Sequence, residues 1–396
     1  MTELKTSQSF RTARRITLAL GSFSAFLAIL PAHLYHRMGD SLAADGQLEL
    51  LTEALIRALR LGFGFIAIVF FALTIFAFFD SGHAESAFRS WLSAIRAFPE
   101  NLRSDRRDLL RSARAALKIA NPSTRLWFIL ICLFGFVLRA ALLNRPITHD
   151  EAYTVVTWSS GSLRYAVSNY HLPNNHIFHT VAVWLIYHLL GNTPTLIRIP
   201  AFLAGFALIP AVFYLGRRFS GDTGALLGSF LTAVSAFLID YVSLARGYSF
   251  FALCAVLFFL LGDPLRHRRN RALEIWLPIL AALSFWTVPM TLYPFGAWCV
   301  AFAVQALFFA SPDAPVKTRI LRLAPLLRVG AAAIFWTLLL YAPLLLESGT
   351  APLFDNVFVR PLPPGDFPPT MISRLIDFWN VWREGLGTNL AALLLT

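Results

Sequence analysis

The sequence has few charged residues and few cysteines. Asp, Glu, Lys and Arg make up only 14% of the chain, against about 25% in soluble globular domains. The three cysteines, Cys132, Cys254 and Cys299, all lie in apolar stretches and have neither disulfide-framework nor metal-site spacing. The chain also lacks a P-loop, a dinucleotide-binding fingerprint and an internal repeat. These features exclude an ordinary soluble domain, a disulfide scaffold and a repeat protein.

The sequence is instead rich in apolar residues, with 57% hydrophobic residues and a mean hydropathy of +0.61. Apolar runs near membrane length recur along it, which predicts an all-α polytopic membrane protein. The runs that predict membrane-spanning helices are Ile16–Leu34, Leu61–Phe79, Leu126–Leu143, Leu196–Leu215, Gly224–Ile239, Ser249–Gly262, Ile275–Val288, Tyr293–Phe309 and Val329–Leu346. A tenth run begins near Asn389.

The basic residues predict the orientation of these spans. With the N-terminus in the cytoplasm, the segments predicted inside hold roughly two thirds of the 34 Lys and Arg residues; they are 1–15, 80–125, 216–222, 263–273 and 310–328. Because cytoplasmic loops collect basic residues, this bias explains much of the net charge of +12 without nucleic acid as a partner.

The same alternation predicts two large loops on the outer side, 144–195 and 347–387. It also divides the chain into four regions. They are an N-terminal transmembrane hairpin (1–79), a cytoplasmic basic amphipathic segment that lies on anionic lipid (80–125), a transmembrane core that carries the first outer loop (126–346), and the second outer loop with the start of a further, truncated helix (347–396).

This alternation requires that the apolar segment His176–Leu190 does not cross the membrane. About 15 residues reach only about 22 Å as a helix, less than the ~30 Å hydrocarbon core. Ile177 and Leu185 belong to an apolar face, and Thr180 and Trp184 to a polar one. This pattern favours an amphipathic helix at the membrane interface; a short, tilted, buried span is the alternative.

The first outer loop holds the candidate catalytic residues, in the stretches THDEAY and NYHLPNNHIFH. Titratable groups at the outer end of a helical bundle indicate function, and a carboxylate there can act as a general base. The alternative is a solvated surface pair. We identify Asp150 and Glu151 as candidate catalytic residues, Asp150 as the base and Glu151 as a residue that orients the loop or holds a cation. The candidate substrate-loop residues are His149, Tyr153, His171, Asn174, Asn175 and His176.

The histidine spacing leaves a metal site open. His176 and His179 lie on neighbouring helical turns and, with Asp150 or Glu151, match the ligand types of a divalent cation. The interpretation that we favour is that these histidines lie at the interface and bond to water or lipid headgroups.

Arginines near the outer ends of three spans are candidate anion ligands. Arg198 lies at the start of a helix, where a cation opposes the helix dipole and therefore needs an anionic partner or a lipid headgroup. Arg246 and Tyr248 belong to the stretch ARGYSF, before a short span. We assign Arg198, Arg246 and Tyr248 to a lipid phosphate, with simple snorkelling of the arginines as the alternative. Both interpretations also apply to Arg139, inside a span.

Taken together, these motifs resemble the GT-C glycosyltransferases, most of all the branch that contains protein O-mannosyltransferases and aminoarabinose lipid A transferases. The resemblance covers roughly 125–346. It is carried by an acidic pair directly after a helix (Asp150 and Glu151), by RIPAFLAGFALIPAVFYLGRRFSG with Arg198, Pro200, Arg217 and Arg218, and by ARGYSF.

The resemblance implies a GT-C-like helical bundle with two large extracytoplasmic loops in a bacterial cytoplasmic membrane. It implies an enzyme that transfers a sugar, with inversion, from a polyprenyl-phosphate-linked donor to a hydroxyl acceptor on the periplasmic or exterior face. The acidic pair would be catalytic. A transporter or flippase of lipid-linked saccharides is the first alternative, although it would favour ionisable groups in mid-membrane and an internal repeat. A truncated, inactive relative is the second.

Overall fold

The computed structural model describes residues 2–41, 52–79, 81–309, 315–354, 363 and 365–395. In these residues the chain is helical and contains no strand. Six helices are long and apolar enough to cross a membrane, or seven if a bent N-terminal pair is one span. The all-helical prediction is therefore confirmed, and the six apolar helices suggest a membrane protein.

The chain divides into two compact units, of which the first comprises Met1–Ser104 and Leu345–Gly349. Its helices are α1 (Thr2–Ile29), α2 (Ala32–Asp40), α3 (Glu53–Phe79) and the first part of α4 (Ser81–Leu117). Helices α1 and α3 pack antiparallel: Thr74 Oγ1 lies 3.0 Å from Thr17 Oγ1, and Arg60 Nε donates to the carbonyl of Ala28 at 2.9 Å. The first predicted span is shorter than expected, because the chain bends by 99° between α1 and α2.

The second unit comprises Asp105–Leu344 and Thr350–Thr396 and contains the rest of α4. Its other helices are α5 (Pro122–Ala141), α6 (His149–Thr154), α7 (Leu163–Ser168), α8 (Ile177–Leu189), α9 (Pro194–Val234), α10 (Ala236–Val242), α11 (Tyr248–Gly262), α12 (Arg271–Thr287), α13 (Leu292–Val304), α14 (Val316–Leu321), most of α15 (Ala324–Glu347), α16 (Ala351–Phe354) and α17 (Phe367–Leu395). Short π-helical segments follow α6 (Val155–Ser159) and α13 (Gln305–Phe309), and short 3₁₀ segments follow α11 (Asp263–Arg266) and α12 (Pro289–Thr291).

The 41 residues of α9 form a helical hairpin rather than one straight rod. A straight helix of that length would measure about 62 Å, twice the ~30 Å hydrocarbon core. Gly221 interrupts it with a φ of +64°, a conformation that glycine adopts without steric cost. A Cβ on Gly216 would lie 3.1 Å from the Cα of Ala225, so the two halves pack closely. The break falls inside the turn predicted at 216–222.

Arg139, on α5, caps the end of this hairpin. Its side chain is fully buried and donates to the carbonyls of Thr232 and Ala233, both at 2.8 Å, and to that of Gly135 at 3.1 Å. The last carbonyls of a helix lack partners within the helix and carry the negative end of its dipole. Arg139 therefore has a structural role at the end of α9, which answers the question that the sequence left open.

The loops predicted to be cytoplasmic meet at one end of the second unit. Arg271 donates from its main-chain and side-chain nitrogens to Asp105, and Arg217 donates to the carbonyl of Ala116 at 3.0 Å. Arg328 at the start of α15 bonds to a glutamate of α12. Thus the end of α4 and three of the predicted inner segments lie together, as the alternation of spans requires.

The region predicted as the second outer loop is partly helical. Helix α17 begins at Phe367, inside that loop, and continues without a break through the position near Asn389 where a tenth span was expected to start. Pro368 and Pro369 occupy its first turn, where a missing N–H costs no hydrogen bond. This is a correction to the predicted loop; residues 355–362 and 364 lie outside the described part of the chain.

Candidate active site

Helix α6 begins with a reciprocal capping arrangement that fixes Glu151. Oε2 of this carboxylate accepts hydrogen bonds from the main-chain N–H of Thr148 at 2.9 Å and from its hydroxyl at 3.1 Å. Oε1 accepts the main-chain N–H of Ala245 at 2.8 Å. The carboxylate therefore joins the start of α6 to the loop between α10 and α11, 94 residues further along the chain.

Arg198, on α9, completes the set of bonds around Glu151. Its Nε and one terminal nitrogen donate to the two carboxylate oxygens at 2.7 and 2.8 Å. Its remaining N–H groups donate to the carbonyls of Leu143, Arg145 and Pro146 at 2.7–3.1 Å. A guanidinium has five N–H donors, and all five are used here. Both side chains of the pair are fully buried.

These contacts bear on two of the sequence-based assignments, those of Glu151 and Arg198. Burial by itself would raise the pKa of Glu151, but the hydrogen bonds from Arg198, Thr148 and Ala245 outweigh it and lower the pKa. These bonds hold the carboxylate as an anion and tie the start of α6 to two other parts of the chain, which fits the loop-orienting role assigned to Glu151 from the sequence. Arg198 has no donor left for a phosphate; its anionic partner is Glu151.

Arg246 is also buried, but its hydrogen-bonding groups are not satisfied. It is 2% exposed, and its Nε and NH1 nitrogens have no hydrogen-bond partner within the described residues. The nearest carboxylate oxygen, Oδ2 of Asp150, is 3.8 Å from NH1, too far for a hydrogen bond. Leaving a buried donor unpaired costs about 1–3 kcal/mol, and more for a charged group. An anion bound to these nitrogens would remove that cost.

The backbone on either side holds Arg246 in place. The N–H of Ala245 donates to Glu151, and the N–H of Gly247 donates to Nδ1 of His176 at 2.8 Å. A Cβ on Gly247 would lie only 2.3 Å from Thr287 Cγ2, so only glycine fits there. Two main-chain ties thus fix the position from which the Arg246 side chain extends.

His176 and His179 lie beside Arg246 in the protein interior, and not on a surface that water or lipid headgroups could reach. They are 4% and 3% exposed. Burial first, and the charge of Arg246 second, lower the pKa of His176 well below its usual value and that of His179 to about 3. Both rings are therefore neutral. In the polar face predicted for α8, His176 and Thr180 are buried in the protein, whereas the exposed residues of the helix include the apolar Leu185 and Leu189 as well as His188.

The same surroundings argue against a divalent cation. His176 uses Nδ1 for the N–H of Gly247, and the Arg246 charge that disfavours protonation of these rings also repels a metal ion. In the described part of the chain no three His, Cys, Asp or Glu side chains form a group that could hold a metal. The donors fit an anion instead.

Asp150 differs from its neighbour Glu151 because it is open to solvent. Its side chain is 61% exposed at the first turn of α6, with Oδ1 3.8 Å from Nδ1 of His149, which is itself exposed. The structure therefore separates the acidic pair into a buried anchor and an accessible carboxylate.

The remaining loop residues form a hydrogen-bonded chain next to Asp150. Tyr153 Oη lies 2.8 Å from Nε2 of His171, whose Nδ1 bonds to the side-chain oxygen of Asn169. Asn175 is fully buried: it donates to two main-chain carbonyls and accepts from Thr180, so it ties the loop to α8. Asn174 is partly exposed in the preceding turn. Helix α8 begins at Ile177, and His176 is the residue directly before it, at the N-cap position.

Tyr248 and Tyr170 complete the surroundings of the arginine. The Arg246 guanidinium lies 5.7 Å from the Tyr248 ring centroid, and that ring meets the His176 ring edge to face at 4.8 Å. Tyr170 is 4% exposed, and its burial raises its pKa to about 12. Sequence reasoning did not identify Tyr170, because a Tyr in a loop carries no distinctive pattern.

Comparison with models of protein families, with curated proteins and with solved structures gives no match to this chain.

Proposed function

We propose that the chain is an integral membrane glycosyltransferase that moves a sugar from a polyprenyl-phosphate-linked donor to a hydroxyl acceptor, with inversion, on the extracytoplasmic face. One observation carries the proposal: an accessible carboxylate, Asp150, lies 3.8 Å from a buried arginine, Arg246, whose Nε and NH1 nitrogens lack hydrogen-bond partners among the described residues. The first is suited to accept a proton, and the second to bind a phosphate.

In this proposal the donor phosphate binds Arg246 and displaces Asp150 from it. The freed carboxylate removes the proton of the acceptor hydroxyl while the acceptor oxygen bonds to the anomeric carbon. The bond from that carbon to the phosphate oxygen breaks, and the phosphate leaves with the electron pair, stabilised by Arg246. Proton removal by a well-placed carboxylate accelerates such a step by about 10²–10⁴-fold.

The location of the charged groups favours transfer over transport. Within the described core, the buried ions Glu151, Arg198 and Arg246 cluster at one end of the bundle, and Arg139 binds carbonyls at the end of α9. A transporter would be expected to carry ionisable groups along a path through the membrane.

The proposal is tested with membranes from cells that make the parental chain, the D150N variant or neither, each given a radiolabelled polyprenyl-phosphate-linked sugar. We expect label in a hydroxyl-linked product from the parental membranes only. Movement of the intact lipid-linked sugar across proteoliposomes, without release of the sugar from its phosphate, would support the transporter instead. Mass spectrometry of surface glycans and lipids from a deletion strain and its parent would identify the acceptor.

A further inference from the structure

The contact between His176 and Arg246 cannot be an ordinary hydrogen bond. Nδ1 of His176 accepts the main-chain N–H of Gly247, so Nδ1 carries no proton. The ring is neutral because it is buried next to Arg246, and a neutral ring with a bare Nδ1 carries its proton on Nε2. Nε2 lies 3.5 Å from NH2 of Arg246. Both of these nitrogens are donors, so neither satisfies the other.

Other donors at the same place also lack acceptors. Nε and NH1 of Arg246 are buried without a hydrogen-bond partner within the described ranges, and the same holds for both ring nitrogens of His179, one turn along α8. A neutral imidazole always carries one N–H. Arg246, His176 and His179 therefore bring several N–H donors together, and the one ring nitrogen among them that is left to accept, on His179, has no hydrogen-bond partner within the described ranges.

We propose that His176 is a second ligand of the donor phosphate: its Nε2–H and the Arg246 guanidinium share one oxyanion oxygen. The main-chain N–H of Gly247 makes this possible, because it fixes the tautomer that presents a donor. The inference rests on the proposed function only in naming a lipid phosphate as the source of that oxygen. The chemistry that the site recognises is an oxyanion, which a free phosphate would share.

Two substitutions distinguish the roles of the two ring nitrogens of His176. H176N places an amide oxygen near the position of Nδ1, so it keeps an acceptor for Gly247 and loses the distal donor. H176Q places an amide nitrogen near Nε2, so it keeps the distal donor and loses the acceptor. A purely structural role predicts that H176Q is the damaged variant, whereas phosphate binding predicts that H176N is.

The test measures binding of undecaprenyl phosphate, without sugar or acceptor, to the purified full-length chain in lipid nanodiscs. Undecaprenol and inorganic phosphate are the comparison ligands. We expect H176N to have the parental melting temperature and to bind undecaprenyl phosphate about tenfold or more weakly, and H176Q, where it folds, to bind within about threefold of the parental chain. Inorganic phosphate that binds as well as the lipid, and is also lost in H176N, would support the oxyanion site with a free anion as its source.

Parental affinity in H176N would overturn the proposal, as would equal binding of undecaprenol and undecaprenyl phosphate. The binding assay is independent of sugar transfer, which is measured separately in membranes. A chain that binds the lipid phosphate through His176 but transfers no sugar would therefore disprove the proposed function and leave this inference standing.

Discussion

Nε of Arg198 lies 2.7 Å from Oε1 of Glu151, and both side chains are fully buried. Arg246 lies within the same end of the bundle and is equally inaccessible, yet it has no comparable partner among the described residues. The site thus contains two buried arginines, one whose donors are all used and one whose donors are mostly free. This contrast gives Arg198 a structural role and makes Arg246 the arginine that we propose to bind a ligand.

The two arginines are predicted to affect stability in opposite directions. R198M leaves Glu151 as an uncompensated buried charge, and we expect it to lower the free energy of unfolding by about 3–5 kcal/mol. R246M removes a buried charge that lacks hydrogen bonds, so we expect unchanged or increased stability together with loss of undecaprenyl phosphate binding. Thermal unfolding of the purified chains in detergent measures the stability of both variants. A loss of stability in R246M as large as that in R198M would show that Arg246 is a structural anchor.

The neighbouring carboxylates are predicted to differ in the same way. D150N removes an exposed carboxylate and should leave the melting temperature unchanged, slow sugar transfer at least about a hundredfold, and preserve or tighten binding of the lipid phosphate, since a competing anion next to Arg246 is lost. E151Q should instead lower the melting temperature, because it weakens the bonds to Arg198. Near-parental turnover by purified D150N would rule out Asp150 as the base.

Cysteine labelling tests the predicted orientation. Gly161 and Gly365 lie in the two predicted outer loops, and a Cβ at either position would meet nothing within 4 Å. In a chain whose native cysteines are replaced, G161C and G365C should both react with an impermeant thiol reagent added to intact cells. S311C, at a position of the predicted inner loop 310–328 that lies outside the described residues, should react only after the cells are opened. Opposite results for G161C and G365C would disprove the alternation of spans.

Buried neutral histidines predict a loss of stability in mild acid. The pKa of His179 falls from 6.5 to about 3 on folding, so below pH 6.5 the unfolded chain binds a proton that the folded chain does not. Its stabilising contribution is complete above pH 6.5 and is lost as the pH falls towards 3, by up to about 1.4 kcal/mol per pH unit. Between pH 7 and 5, stability should therefore fall less steeply in H179Q than in the parental chain. H188Q, at an exposed position of the same helix, is the control and should keep the parental slope.

The sequence predicts which loops lie at the same end of the core, because this depends on the number of apolar runs and on which loops hold Lys and Arg. Those features placed Asp150 and Arg246 at the same end, and the structure brings them within 3.8 Å. The need of Arg198 for an anionic partner also followed from its position at a helix start.

That Glu151 is the partner of Arg198 depends on a local pattern around Glu151 and on a contact between residues far apart in the sequence. Thr148 and Glu151 have the spacing of a capping box, which ties Glu151 to the backbone and frees Asp150; this signal was present in the sequence but was not used. The burial of His176 had no such signal, because it results from the approach of Gly247, 71 residues later. Periodicity distinguishes the faces of α8 but cannot tell whether the polar one meets protein or lipid.

The residues that bond to Glu151 lie far from it in the sequence, and this separation determines when the site can form during synthesis of the chain. Arg198 follows Glu151 by 47 residues and Ala245 by 94. At a synthesis rate of about 5–20 residues per second, the carboxylate waits roughly 2–9 seconds for its arginine and roughly 5–19 seconds for the last of its bonds. Until then it needs water, so α6 can settle against the bundle only after the α9 hairpin has been made. Asp150, the proposed base, and Arg246 are therefore first aligned when the chain has been made beyond Gly247, and a nascent chain shorter than that lacks the proposed site.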